Sequence, residues 1–296
     1  MWGGKKVKSE SYFKKILVPV DGSHTCLHAE ELAVTIAKKF KSKVTVIHVV
    51  SSKLVHPELR KRALRYPVPY TSVRSEISSW FSHVGKKIVL EAEALFKEEG
   101  IEVDARFIEH EDPAETILRL AKDEDHNLVV IGNRGETEAE VFSLGSVAEK
   151  VVRHVECPVL IVKGKTKISK VLVGIDGSEN AEKALEHAVE LAKKHKAKIT
   201  LLNVEGSTLF DLNPKVAKEI GESILSGAAS KVKGVEFNTQ LEFGNPAETI
   251  IEVTEKGNYD IIVVGSRGLS KVKRFFLGSV SDDVSHHAHG SVLIVR

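Results

Sequence analysis

The sequence is poor in the residues that staple small folds or hold metals. Its 296 residues include two cysteines, one methionine, two tryptophans and 6% aromatic residues in all. Cys26 and Cys157 form no disulfide framework and lack metal-ligand spacing, so a reducing cytoplasm is the expected setting. An excess of either charge is also missing: 43 Lys and Arg against 41 Asp and Glu leave a net charge of +2. That balance provides no whole-molecule field for nucleic acid or anionic lipid, and any basic surface must be local. Long apolar runs are absent too. Leu128 to Ile131 and Val292 to Val295 are strand-sized, far below the ~18 residues of a membrane span, so a soluble chain without membrane contact is expected. The basic opening segment MWGGKKVKSESYFKK has no apolar stretch of a secretory kind, and residues 1–12 read as a loose tail.

What is present is ordinary globular material, 42% hydrophobic and 28% charged. The length is about twice the ~150 residues of a typical domain, which predicts two domains and two cores.

The chain contains the same pattern twice. Ile16-Leu-Val-Pro-Val-Asp21-Gly-Ser23 returns as Val171-Leu-Val-Gly-Ile-Asp176-Gly-Ser178, an offset of 155 residues. Further on, Pro113-Ala-Glu-Thr-Ile117 returns as Pro246-Ala-Glu-Thr-Ile250, and Val159-Leu-Ile-Val-Lys163 as Val292-Leu-Ile-Val-Arg296, at an offset of 133. The shortfall places a net insertion of 22 residues in the first copy, expected at about residues 51–75.

Each copy alternates β-branched runs with helical patterns, the sequence form of βαβ units and a parallel sheet covered on both faces. The class is α/β. Strands are expected near residues 15–20, 43–50, 102–108, 127–132 and 158–163, then near 169–175, 198–204, 235–242, 260–265 and 291–296. Helices are expected near 25–40, 76–99, 113–124 and 145–155, then near 179–195, 214–232, 246–256 and 278–288. Pro113 and Pro246 suit a first helical turn, with Asp112 and Asn245 as N-caps. The join Gly164-Lys-Thr-Lys-Ile-Ser169 is short, which predicts closely packed halves.

The strongest candidate site follows the fourth strand of each copy. Gly132-Asn-Arg134-Gly135, nine residues and Gly145-Ser146-Val147 are matched by Gly265-Ser-Arg267-Gly268, nine residues and Gly278-Ser279-Val280. Glycines at a strand's carboxyl end let backbone amides approach an anion, and a Gly-Ser helix start adds first-turn amides, a hydroxyl and the positive end of the dipole. The simpler alternative, glycines that only make turns, loses ground because both copies keep one spacing. Asp21 and Asp176 end the first strands, where ligands of open α/β sheets collect, and they also suit an Asx turn or a helix cap.

With these residues in view, the chain resembles the universal stress protein family in tandem form. The family's Gly-x2-Gly-x9-Gly-Ser pattern is matched in both halves. The resemblance implies two repeats of an open five-stranded parallel sheet of order 3-2-1-4-5, adenine nucleotide alpha-hydrolase-like, spanning residues 13–163 and 168–296. It implies ATP or AMP as ligand, with Mg²⁺ accompanying ATP. Asp21 and Asp176 would approach the ribose or adenine side, and the backbone of Val49 and Val204 the adenine. Gly132, Arg134, Gly135, Gly145, Ser146 and Val147 would hold ribose and phosphates, as would Gly265, Arg267, Gly268, Gly278, Ser279 and Val280. It further implies antiparallel pairing of the last strands, an internal pseudo-dimer; a homodimer of the whole chain is left open.

The copies differ in charge. Glu136, Glu138 and Glu140 lie between the second and third motif glycines of copy one, and Lys271, Lys273 and Arg274 in copy two. Ser281 stands where copy one has Ala148. Phosphates are anions, so copy two is expected to favour the more highly phosphorylated nucleotide. No catalytic residue and no metal site is assigned. His286, His287 and His289 fall at a helix end, where they complement the dipole. The basic stretch His56 to Arg65 reads as a solvated face, with nucleic acid not favoured. The function expected is a nucleotide-dependent stress-response module. The alternatives are a slow Mg²⁺-dependent ATP hydrolase or phosphotransferase using Asp21 or Asp176, and a scaffold acting through its surface.

Overall fold

The computed structural model describes residues 12–51, 70–134, 144–268 and 277–296. The first half runs β1 (Lys15–Pro19), α1 (His24–Phe40), β2 (Lys43–Val50), α2 (Tyr70–Glu98), β3 (Val103–Glu109), α3 (Pro113–Asp123), β4 (Leu128–Gly132), α4 (Ser146–His154) and β5 (Val159–Val162). The second runs β6 (Lys170–Gly174), α5 (Glu179–His195), β7 (Lys198–Glu205), α6 (Ser207–Leu212), α7 (Pro214–Ala229), β8 (Phe237–Phe243), α8 (Pro246–Gly257), β9 (Ile261–Gly265), α9 (Ser279–His287) and β10 (Ser291–Val295).

Both halves have the expected strand order, and together they form one sheet, β3-β2-β1-β4-β5-β10-β9-β6-β7-β8. Neighbours within a half are parallel, whereas β5 and β10 meet antiparallel, Val292 opposite Ile161 and Ile294 opposite Val159. The central strands β4 and β9 read LVVIG and IIVVG because helices bury them on both faces. Helix starts follow the caps. Asp112 accepts from the Glu115 amide, and Asn245 from those of Ala247 and Glu248, each beside a first-turn proline.

The expectation of two cores, one per domain, needs correcting. There are two clusters, but each belongs to one face of the sheet and runs through both halves. One joins Phe13, Leu32 and Phe96 to Leu185, Leu191 and Leu225; the other joins Ile117 and Val151 to Ile250 and Val284. A continuous sheet has only two faces, and the helices of both halves share them. Tyr12, assigned to the loose tail by its sequence, also contacts the second half: its hydroxyl donates to Glu186 at 2.7 Å and its ring lies 4.1 Å from that of His187. Residues 1–11 lie outside the described chain.

Two elements differ from the sequence reading. Helix α2 begins at Tyr70, so the end of the insertion expected at residues 51–75 belongs to that helix, which has 29 residues against 16 in α7. Residues 52–69, including the basic His56 to Arg65 stretch, lie outside the described chain. Helix α6 was not expected, because its six residues STLFDL are too few to show a 3.6-residue period.

The halves also exchange cations across the seam. Lys163, after β5, donates to the carbonyls of His286 and Ala288 at 3.1 and 2.7 Å, at the end of α9. Arg296, after β10, donates to the carbonyl of Val152 near the end of α4. Each half therefore caps the final helix of the other, where the dipole favours positive charge. Burial, reinforced by the like charge of Arg134, brings the Lys163 ammonium down to about 8. Among the described residues no helix is long and apolar enough to cross a membrane.

Shared cores should make the halves unfold together. Hydrogen exchange of β1 and β6 under rising urea is expected to show one common midpoint, and two separated midpoints would refute it. Replacing the buried Phe13 by Ala should lower that midpoint in both halves, at a cost of about 3 kcal/mol.

Candidate functional site

Two cavities of about 250 and 260 Å³ lie at the carboxyl ends of the central strands, one in each half. They open where β1 and β4, and likewise β6 and β9, send their helices to opposite faces, the place where open α/β sheets leave a crevice. The first cavity is walled by Asp21, Val49, Gly132 and Arg134 and by Gly145, Ser146 and Val147 at the start of α4. Asp176, Val204, Gly265, Arg267 and Gly268 wall the second, with Gly278, Ser279, Val280 and Ser281 at the start of α9. Gly135, the three glutamates of copy one and the Lys271, Lys273 and Arg274 set of copy two lie outside the described residues.

Local chemistry explains this arrangement. Asp21 accepts from the Ser23 amide at 2.9 Å, and Asp176 from the Ser178 amide at 3.0 Å, so each carboxylate is held by an Asx turn while lining its cavity. Ser23 and Ser178 then cap α1 and α5. By contrast, α4 and α9 open on Gly145 and Gly278 with no side-chain cap. Their first-turn amides face the cavities, together with the positive ends of the helix dipoles.

The motif glycines do different things. A Cβ at Gly265 would stand 2.7 Å from the carbonyl carbon of Asn180, and one at Gly132 would stand 3.1 Å from the Thr25 carbonyl oxygen. The first glycine therefore lets the strand end pack against the opening turn of α1 or α5. At Gly268 a Cβ would lie 2.5 Å from Asp176 Oδ2, so that backbone faces the carboxylate directly. The first turn of each helix also fixes the motif arginine: Thr25 Oγ1 donates to the Arg134 carbonyl, and Asn180 Nδ2 to that of Arg267 at 3.4 Å. Ser281 lines the second cavity, and its Oγ donates to the Gly265 carbonyl at 2.6 Å, which leaves its lone pairs as acceptors.

Sequence reasoning missed the residues that hold the strand-one turn. The ring of His48 on β2 is bonded through Nδ1 to the Val20 carbonyl at 2.6 Å, and Asn203 Nδ2 donates to the Ile175 carbonyl at 2.8 Å. Each fixes the residue before the aspartate. Room for them comes from mid-helix glycines: a Cβ at Gly85 would lie 2.7 Å from His48, and one at Gly221 would lie 2.8 Å from Asn203 Oδ1. The signal was present in both copies, since His48 and Asn203 directly precede Val49 and Val204. Pro113 and Ile117 of α3, with Pro246 and Ile250 of α8, supply apolar wall.

Beneath the first cavity sits a buried pair with no counterpart in the second half, where Ala181 and Leu185 take the same places. Cys26 Sγ donates to Glu30 Oε1 at 3.4 Å. Burial, with the nearby Asp21 charge adding to it, raises the Glu30 carboxyl to about 7. The Cys26 thiol is pushed well above its ordinary value, again chiefly by burial, which disfavours the thiolate. At the end of α9, His286 and His287 bond through Nδ1 to the carbonyls of Asp282 and Asp283, as suits a helix terminus. Among the described residues no group of three or more His, Cys, Asp or Glu is placed to hold a metal ion.

Comparison with known proteins follows from this geometry. The model of the universal stress protein family matches residues 12–163 and 167–296. The chain belongs to the universal stress protein family. Universal stress protein MJ0531 of Methanocaldococcus jannaschii is 31% identical over 163 residues, covering 53% of this chain and 86% of its own. The crystal structure of a universal stress protein from Archaeoglobus fulgidus superposes with a TM-score of 0.66 at 24% identity, covering 95% of this chain and 98% of its own. That of PA1789 from Pseudomonas aeruginosa superposes with a TM-score of 0.63 at 14% identity, covering 96% and 92%. These two structures share the ten-stranded chain's fold.

Glu30 gives the family member a specific pH signature. Its folded-state value lies above the ordinary 4.5, so the native state holds this proton more tightly and stability falls as pH rises from about 4.5 through about 7. Glu30→Gln removes that loss. Urea titrations should find the stability advantage of the variant larger at pH 8 than at pH 5 by about 2 kcal/mol, whereas an advantage independent of pH would contradict the assignment.

Proposed function

We propose that this universal stress protein binds adenine nucleotides, ATP or AMP, at two sites, and works as a nucleotide-dependent stress-response module. The observation that carries the reading is a repeated one. In each half a fixed aspartate, a glycine-lined strand end and a helix start without a side-chain cap meet at one cavity. A fixed carboxylate suits ribose hydroxyls, and uncapped amides at a dipole's positive end suit phosphate. The backbone of Val49 and Val204 and the apolar walls behind them suit a flat base.

On this reading, residues 13–163 and 168–296 are two nucleotide-binding units in one pseudo-dimer. Asp21, Val49, Gly132, Arg134, Gly135, Gly145, Ser146 and Val147 serve the first. Asp176, Val204, Gly265, Arg267, Gly268, Gly278, Ser279, Val280 and Ser281 serve the second. Mg²⁺ would enter with ATP, on its phosphates, while Asp21 and Asp176 at the cavity walls serve the ribose side. Each already holds one oxygen in a turn, which supports a holding role for the aspartate. The sequence contrast between the acidic segment of copy one and the basic segment of copy two supports stronger binding of the more highly phosphorylated nucleotide in the second half.

Calorimetric titration with ATP and AMP, with and without Mg²⁺, tests the reading. Two nucleotides per chain are expected, falling to one in Gly145→Val and one in Gly278→Val, with ATP about tenfold weaker in Gly278→Val because only the acidic copy remains. Failure of both nucleotides to bind overturns the proposal, and equal ATP affinities of the two variants overturn the charge assignment. Phosphate released on overnight incubation would move the reading to a slow hydrolase.

A further inference from the structure

A third cavity adjoins the second glycine motif through Arg267. It holds about 500 Å³ at the seam between the halves and is lined by Arg153, His154 and Glu156 around the end of α4, Asn180 and Lys183 on α5, and Arg267 and Arg296. Four of these side chains are permanent cations, against one carboxylate, and that carboxylate, Glu156, pairs with Lys122 at 3.0 Å.

The cations are committed to different degrees. Arg153 is matched by Glu149 and Asp282, both at 3.2 Å. Lys183 touches Glu179 at 3.0 Å, an exposed pair one helical turn apart that contributes little and separates easily. Arg296 gives one terminal nitrogen to the Val152 carbonyl, and its Nε is buried with no hydrogen-bond partner. Burial of that guanidinium, and the like charge of Arg267 beside it, lower its proton affinity. Two guanidinium groups lining one cavity, with Lys183 beside them, form an arrangement that an anion would complete.

The pseudo-symmetric position shows that the fold alone does not impose this cluster. There Arg153 is replaced by His286, Lys183 by His28 and Glu156 by His289. Lys163 takes the place of Arg296, and its ammonium is spent on two helix-terminal carbonyls. The concentration of permanent positive charge belongs to one side of the molecule.

We infer that this seam cavity is an oligophosphate site, in which Arg267, Arg296 and Lys183 hold adjacent phosphate groups and Arg153 is a positioning residue kept in place by Glu149 and Asp282. Arg267 also lines the second glycine cavity, so the oligophosphate has two sources: a free inorganic chain, or the phosphate tail of a ligand seated in that cavity. The second of these sources rests on the proposed function, whereas the first stands on the seam residues Lys183 and Arg296.

The test is calorimetric titration of the full chain with sodium tripolyphosphate. One saturable site per chain is expected, about tenfold weaker in Arg296→Gln and about threefold weaker in Lys183→Gln, with affinity falling as salt rises. Lys183→Gln guards against a folding defect, because this half-exposed side chain pairs with the exposed Glu179. Tripolyphosphate that competes with ATP while keeping this sensitivity to Lys183 and Arg296 identifies the tail of a ligand in the second cavity as the source, and binding without competition identifies a free chain. Absence of saturable binding overturns the inference. So does binding that is lost in Gly278→Val and indifferent to Lys183→Gln and Arg296→Gln, which would place the anion in the glycine cradle. Failure of ATP to bind, with tripolyphosphate still bound through Lys183 and Arg296, would defeat the nucleotide reading and leave this one intact.

Discussion

Antiparallel pairing of β5 with β10 is the contact on which the rest of the molecule depends. Without it each half would end on an apolar strand with unpaired backbone groups, an open invitation to other chains. With it the two sheets become one, each face has a single apolar layer, and Lys163 and Arg296 come within reach of the opposite half's last helix. The burial of those two cations is a consequence of the pairing. Each loses water and receives helix-terminal carbonyls in return.

The parallel pairing inside each half determines where chemistry can sit. All strands of one half are parallel, so their carboxyl ends share an edge, and the aspartate of the first strand meets the glycines of the fourth there. A tether from β2, His48 in one half and Asn203 in the other, then fixes the turn carrying the aspartate. Different side chains accomplish one task because only a hydrogen bond to a carbonyl is required. A glycine in the covering helix makes the space in either case, which ties the composition of α2 and α7 to the geometry of the site.

Most of this plan was legible in the sequence because it is written twice. Repetition at constant spacing separated meaningful glycines from incidental ones, and proline beside Asp112 or Asn245 marked helix starts through local chemistry alone. What escaped depends on tertiary contact. Gly85 and Gly221 look like weak points in a helix until His48 and Asn203 are placed beneath them. Tyr12 looks like tail until His187 is brought beside it, and the sharing of cores needs the seam, which no local pattern encodes. Helix α6 escaped for a simpler reason, having fewer than two turns in which to show a period.

The outer strands β3 and β8 are the two ends of the ten-stranded sheet. Both are only partly covered, and both carry charge: Arg106 on β3 is held between Asp104 and Glu124, and Gln240 on β8 donates to Glu242 at 2.8 Å. An incoming strand would have to strip water from these groups or break their bonds, a cost that a neutral β-branched edge would not impose. Charge at both ends of the sheet therefore raises the cost of adding an eleventh strand through the kind of pairing that joined the two halves.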